Sequence, residues 1–277
     1  SKIEIDENKL KILKAKDKTD LQTIKHPVIS LPARALLCAR SGLGKSTILL
    51  NIMCSDLFGY NKIFKKEDIY IFCPDIESDQ KLMHIVDYYD LDIDNNVYQD
   101  KDKPDLEGLE NVYNGLIEEY KESPKHSVII IDDYSSSGEF CGSKKFNILA
   151  KIFCNSRKYN ISTFFLQQHY MHCNPTIRMN ANFICLANTS QHQLKIIEQE
   201  HNMTNDPKFF KSMFRYYTKN NKNDFFSINY TNDNFDEIYL DKDFKKIDIK
   251  EYEKIYNEEN KNKRRKKKDE IIIDELE

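Results

Sequence analysis

The sequence predicts an α/β fold, a mostly parallel central sheet flanked by helices, with a β-hairpin near its C-terminal end. Three observations carry that reading. Short apolar runs alternate with segments of helical period, the pattern of parallel strands covered on both faces. One apolar run leads straight into a glycine turn and a helix, and another ends in two acids. Late in the chain, two aromatic-rich strands are separated only by the polar turn Thr-Asn-Asp-Asn.

Taken in order, residues 1–27 are polar and charged with a weak helical pattern, and read as an N-terminal arm. Ala35 to Ala39 is an apolar strand, and Ile48 to Met53 begins a helix. Between them runs Ala39-Arg40-Ser41-Gly42-Leu43-Gly44-Lys45-Ser46-Thr47, a near match to G-x-x-x-x-G-K-[ST] with Ala39 at the first glycine position. The chain has only 7 glycines in 277 residues, well under the usual ~7%, yet two fall in this turn. Gly42 and Gly44 free the backbone to aim successive N–H groups at an anion, and the helix N-terminus adds its positive dipole end. Lys45 is then placed for the β- and γ-phosphates of a nucleoside triphosphate, and the Ser46 hydroxyl for Mg²⁺. The fold expected is that of a P-loop NTPase, with ATP and Mg²⁺ as cofactors.

The strand Asp68–Cys73 follows, then a helix over Asp79–Tyr89 and an acidic, turn-rich stretch from Asp90 to Asp105. A helix is expected over Leu106–Tyr120. Ser127-Val-Ile-Ile-Ile-Asp-Asp133 is the purest buried strand in the chain. Its Asp132 is the candidate metal carboxylate, acting largely through the ion's waters. Asp133 is either the base that polarises an attacking water or a cap on the following turn. A helix over about 144–159 precedes the strand Ile161–Leu166, which ends in Gln167 and Gln168 at the edge where open α/β sheets bind ligands. Gln168 is the first candidate to read the γ-phosphate or the lytic water, and Gln167 the second. The strand Phe183–Ala187, a helical region over Gln191–Tyr217, and the hairpin strands Phe225–Tyr230 and Phe235–Leu240 complete the domain, assigned to residues 28–240.

Residues 241–277 read as a charged tail. Within it, 261–268 are basic, a nucleic-acid contact, a localisation signal or simply a solvated face. Outside residues 261–277 the chain is mildly acidic. The seven cysteines never occur as C-x-x-C and several sit in apolar runs, so they read as reduced, packed thiols. No apolar stretch approaches the ~18 residues of a membrane span, and residues 1–21 lack a leader pattern; a soluble, intracellular protein is expected. Two weaker patterns carry little. Asn221-Lys-Asn-Asp224 matches the guanine-reading N-K-x-D but closes no buried strand, and His169, His172 and Cys173 lack a fourth zinc ligand at suitable spacing.

The motif order is GLGKS, then Tyr-Ile-Phe-Cys-Pro, then IIIDD, then Ser-Arg-Lys-Tyr-Asn-Ile-Ser with a strand ending Leu-Gln-Gln, then Pro175-Thr-Ile-Arg-Met-Asn180. Over about residues 28–240 it resembles the DNA-packaging ATPases of large double-stranded DNA viruses and their virophage relatives, the poxvirus-type branch of the FtsK/HerA superfamily. Ala39, and Gln167 where the relatives often carry threonine, depart from the pattern. The resemblance implies a homo-oligomeric ring, a pentamer or hexamer, that drives duplex DNA into a preformed capsid, with capsid and nuclease components as further partners and no membrane. It also implies a location in the host cytoplasm at the viral factory, or in the virion. Ring ATPases supply an arginine across the subunit interface. Among only seven arginines, Arg178 in the matching segment is the first candidate and Arg157 the second, each otherwise a surface or capping residue. DNA-gripping lysines are sought at 144–145 and 219–222. The rival readings are a small-molecule P-loop kinase and a nucleotide-gated assembly protein that hydrolyses poorly.

Overall fold

Eight strands form one sheet in the order β3-β2-β4-β5-β1-β6-β7-β8. In chain order they are β1 (Arg34–Cys38), β2 (Ile69–Cys73), β3 (Val97–Gln99), β4 (Ser127–Ile131), β5 (Ile161–Gln167), β6 (Phe183–Ala187), β7 (Phe225–Asn229) and β8 (Tyr239–Leu240). The first six are mutually parallel, and β7 and β8 close the sheet as an antiparallel pair. The computed structural model describes residues 23–134, 147–231, 234 and 237–274, with side chains described to residue 262.

The central strands are buried along their whole length, which explains why they read as continuous apolar runs. Alternate side chains feed two cores. Leu36, Phe72, Ile129, Ile131, Phe165 and Ile184 face one side, where they meet α4 (Leu106–Glu122), α5 (Ile148–Asn155), α7 (Gln191–His201) and α8 (Pro207–Thr218). Ala35, Leu37, Ile71, Ile130, Phe164 and Leu166 face the other, against α1 (Lys45–Cys54) and α2 (Gln80–Tyr89). Truncating one such side chain to alanine removes about 2–5 kcal/mol.

Polar side chains set the helix starts. Asp79 caps α2, Asp105 caps α4 and Asn147 caps α5 through bonds to backbone N–H groups. The start of α5 at Ile148 is therefore later than the expected 144; residues 144–146, with the lysines at 144–145, lie outside the described residues. Helicity there gives way at Ser156 to a 3₁₀ turn that ends in left-handed Asn160. The helical region from Gln191 is two helices, because Asp206 caps a new start with Pro207 in its first turn. The acidic stretch after Asp90 contains a short helix, α3 (Ile93–Asn96), and the edge strand β3, whose alternation is too brief to show in sequence. The second hairpin strand is only Tyr239–Leu240. Beyond it the chain does not leave the domain at once: in α9 (Ile249–Asp274), Tyr252 is buried and both Tyr252 and Tyr256 stack edge-on against Phe209 of α8. Residues 1–22 lie outside the described residues, and so does Cys141. No described helix is long and apolar enough to cross a membrane.

Candidate active site

Three parallel strands deliver the site at their C-terminal ends, β1, β5 and β4 lying side by side. From β1 the chain turns through Arg40 to Gly44 and enters α1 at Lys45. Gly42 and Gly44 sit at φ 75° and 94°, where a side chain is strained, although a Cβ on either would meet only open space or ordinary contacts. It is backbone conformation that calls for glycine here. Ala39 is absent from the positive-φ residues, is buried, and hydrogen-bonds its N–H to the Gln167 carbonyl at 3.1 Å, so a methyl group fits at the first loop position. Gly44 offers α1 no side-chain cap, and the first turn contains no acid. Its N–H groups are thus left to an anion.

Lys45 lies across the loop, its Nζ donating to the Ala39 carbonyl at 3.0 Å. The Ser46 hydroxyl lies 3.3 Å from Asp132 Oδ2 and 2.8 Å from Asp79 Oδ2. Asp132 stands just past the end of β4, its N–H held by the Phe72 carbonyl at 2.9 Å. Burial pushes its carboxyl up to about 7; Lys45 opposes this, while Asp79 and Asp133 add to it. The expected strand thus stops two residues early. At Asp133 the backbone swings to φ 59°, a left-handed conformation that exposes the carboxylate and re-aims it.

That swing brings Asp133 to Gln168, whose Nε2 donates to Asp133 Oδ1 at 3.1 Å. Gln167 is fully buried and accepts from the Gln168 N–H, so of the two amides only Gln168 faces the site. A cleft of about 530 Å³ is lined by Ser41 to Thr47 apart from Leu43, by Asp79, Asp132 and Asp133, and by Lys222 and Asn223; Gln168 lies outside this lining and meets it through Asp133. Of the lysines sought at 219–222, Lys222 thus stands beside the phosphate loop. Asn221 and Asp224 of the N-K-x-D match bond one another, Asn221 N–H to Asp224 Oδ2 at 2.9 Å, and so shape this turn. Arg40, Leu43 and Thr47 are partly or fully exposed around the loop.

The donors suit a hard divalent ion: one hydroxyl and carboxylate oxygens. No three His, Cys, Asp or Glu side chains among the described residues form a metal site by themselves. An ion here takes its remaining ligands from phosphate oxygens and water.

The two arginine candidates stand elsewhere. Arg178, on α6 (Pro175–Asn180), is gripped within its own chain: Nε and Nη2 donate to Glu200, Nη1 to the Cys173 carbonyl, and the guanidinium lies 5.3 Å from the Tyr170 ring centre. Its side chain is only 10% exposed, so the expectation that it reaches a neighbouring subunit requires this cluster to open. Arg157 is exposed on the 3₁₀ turn before β5, at the opposite end of that strand from Gln168. His169 and His172 pack together with tilted rings, their centres 5.0 Å apart.

Sequence reasoning missed the role of Asp79 and the place of the Lys222–Asn223 turn at the cleft. Asp79 was legible only as the start of a helix; its approach to Ser46, 33 residues away, is a product of the fold. A stretch of 219–224 rich in Lys and Asn gave no sign that it folds back over Gly44, where Asn223 stands 3.6 Å from the position of a Cβ.

A sequence model described as the poxvirus A32 protein matches residues 24–255. No curated protein sequence matches the chain. Among solved structures, the chain is similar to the genome packaging NTPase B204 from Sulfolobus turreted icosahedral virus 2 in complex with ATP-gammaS. The two share 16% identity over 74% of this chain and 94% of that one, with a TM-score of 0.51. It is also similar to B204, the DNA-packaging ATPase from Sulfolobus turreted icosahedral virus, at 17% identity over the same shares and a TM-score of 0.50. At these identities the likeness establishes a shared fold, the P-loop NTPase fold.

Proposed function

Starting from the fact that this chain belongs to the poxvirus A32 protein family, within the FtsK/HerA-type P-loop ATPases, we propose that it is an ATP-driven motor that moves double-stranded DNA into a preformed viral capsid. The observation that carries the reading is the meeting of a phosphate loop, a buried acid and an exposed acid bonded to a strand-end glutamine. That set has a group for each task in hydrolysing a phosphoanhydride.

The N–H groups of residues 41–46 hold the β-phosphate, and Lys45 leaves the Ala39 carbonyl for the phosphate chain. Thr47 stands beside them on the first turn of α1. Ser46 and Asp132 would hold Mg²⁺, which when bound neutralises charge on the phosphates. Asp133, exposed at the cleft, accepts the proton of the attacking water, and Gln168 orients it through its bond to Asp133. Gln168 is then the group that feels whether a γ-phosphate is present. Arg157 is the better finger candidate, because its side chain is exposed whereas Arg178 is committed to Glu200. The family and the DNA-packaging relative support a DNA track, and the ring is part of the proposal.

Steady-state ATP hydrolysis with and without duplex DNA tests the reading, run beside Lys45→Ala and Asp133→Asn. Turnover is expected to rise with DNA, to weaken as salt is added, and to vanish in Lys45→Ala. Wild-type turnover that ignores DNA in a protein shown to form rings would remove the translocase assignment.

A further inference from the structure

Ser46 has one proton and two carboxylates beside it. A hydroxyl that gives a lone pair to a metal must send its proton to some other acceptor. Asp79 Oδ2 is at 2.8 Å and Asp132 Oδ2 at 3.3 Å, so Asp79 is the better acceptor. The other Asp79 oxygen is already used: Oδ1 accepts from the N–H groups of Lys81 and Leu82 and caps α2. One carboxylate thereby joins the start of α2 to the start of α1.

We propose that Asp79 is a positioning residue for the metal: it accepts the hydrogen bond of the Ser46 hydroxyl, turns the hydroxyl lone pair toward the ion, and leaves Asp132 free for the ion's waters. The proposal rests on the nucleotide–metal reading above and adds a residue to it. Its physical basis is the general one for outer partners of metal ligands, which fix ligand orientation and whose loss typically weakens metal affinity about 10–100-fold. The bond also carries information in the other direction. The turn leading to α2 is pinned by the Asp75–Lys101 ion pair at 3.0 Å and by the Ile76 N–H to Gln99 Oε1 at 2.9 Å. Metal occupancy at Ser46 is thus tied, through Asp79, to the β2–α2 turn and the sheet edge at β3.

The two oxygens of Asp79 can be separated by substitution. Asp79→Asn keeps an oxygen for the cap, and asparagine caps helices as well as aspartate does. It loses only the second anionic acceptor. Asp79→Ala loses both functions. The readouts are Mn²⁺ affinity by electron paramagnetic resonance in the presence of ATPγS, affinity for fluorescent mant-ATP in EDTA, and melting temperature, all on the full chain with Ser46→Ala alongside.

In Asp79→Asn, Mn²⁺ affinity is expected to fall about 10–100-fold, with mant-ATP affinity in EDTA and melting temperature as in the wild type. Asp79→Ala is expected to add a lower melting temperature. If Mn²⁺ affinity is unchanged in Asp79→Asn but falls in Ser46→Ala, Asp79 is only a helix cap and the proposal is overturned. A melting temperature in Asp79→Asn as low as in Asp79→Ala overturns it too, since the effect is then structural. If Ser46→Ala also leaves Mn²⁺ affinity unchanged, the metal reading of the phosphate loop fails and takes this proposal with it.

Discussion

The strand-end glutamine separates two polar clusters of opposite character. On one side, Gln168 reaches Asp133 at the cleft; two residues on, Tyr170 enters a cluster with Arg178, Glu200, His201 and Tyr230. In the second cluster the imidazole, the two hydroxyls and the carboxylate form one connected chain of hydrogen bonds. Burial holds His201 down to about 4, with Arg178 contributing and Glu200 opposing, so at neutral pH the ring is uncharged. One tautomer then satisfies the ring and both hydroxyls: Tyr230 donates to Nδ1, Nε2 donates to Tyr170, and Tyr170 donates to Glu200, which Arg178 neutralises. At the cleft the account does not close. Asp132 is buried with a raised pKa beside Asp79 and Asp133, none of the three has an ion-pair partner among the described residues, and Asp133 holds a left-handed backbone. Charge that is matched inside the chain builds structure, and charge left over awaits a ligand.

Substitutions test that contrast because they should act on different quantities. At the cleft, Asp133→Asn is expected to lower kcat by about 10²–10⁴ while ATP affinity and unfolding midpoint stay near wild type. Asparagine tolerates the φ of 59° that the position demands. A comparable loss of folding stability would mean that Asp133 serves the turn and not the water. In the closed cluster, Arg178→Ala should do the reverse, removing about 3 kcal/mol of stability by urea unfolding, because a partly buried Glu200 loses its cation. Binding of ATP by single subunits should be untouched. If stability holds and only hydrolysis in the assembled ring is lost, the cluster opens and Arg178 is the trans group after all.

The smallest expected effect is on pH dependence. A histidine held near 4 when folded and near 6.5 when unfolded binds fewer protons in the native state between those values. Its contribution is present in full above about 6.5 and is lost as pH falls toward 4. The change is at most about 3 kcal/mol, and it should appear as a slope in unfolding midpoint that His201→Gln flattens. An equal slope in the variant would locate the acid sensitivity in other groups.

Much of the frame was legible because a parallel strand covered on both faces must be apolar throughout, as 128–131 and 164–166 are. The phosphate loop announced itself by glycine in a chain that has little. Asp132, Asp133 and Gln168 could be picked as strand ends, and the fold brings them to one edge. What escaped was whatever depends on who meets whom across the chain. Val97–Gln99 is a strand only because β2 offers it a free edge. Tyr252 looked like part of a charged tail, yet its ring belongs with Phe209 and Tyr216. Arg178 carried no mark of Glu200, 22 residues further on, and nothing near Asp79 pointed back to Ser46.

Ala39 bears on how such chains are to be found. What the loop requires at its first position is a carbonyl for Lys45, six residues on, and a strand-end N–H for Gln167. Any residue comfortable in ordinary backbone supplies both. A signature that insists on glycine there passes over this chain, whereas one that asks for a small residue keeps it. In this chain the left-handed backbone at Gly42 and Gly44 calls for glycine, whereas the ordinary backbone at Ala39 does not.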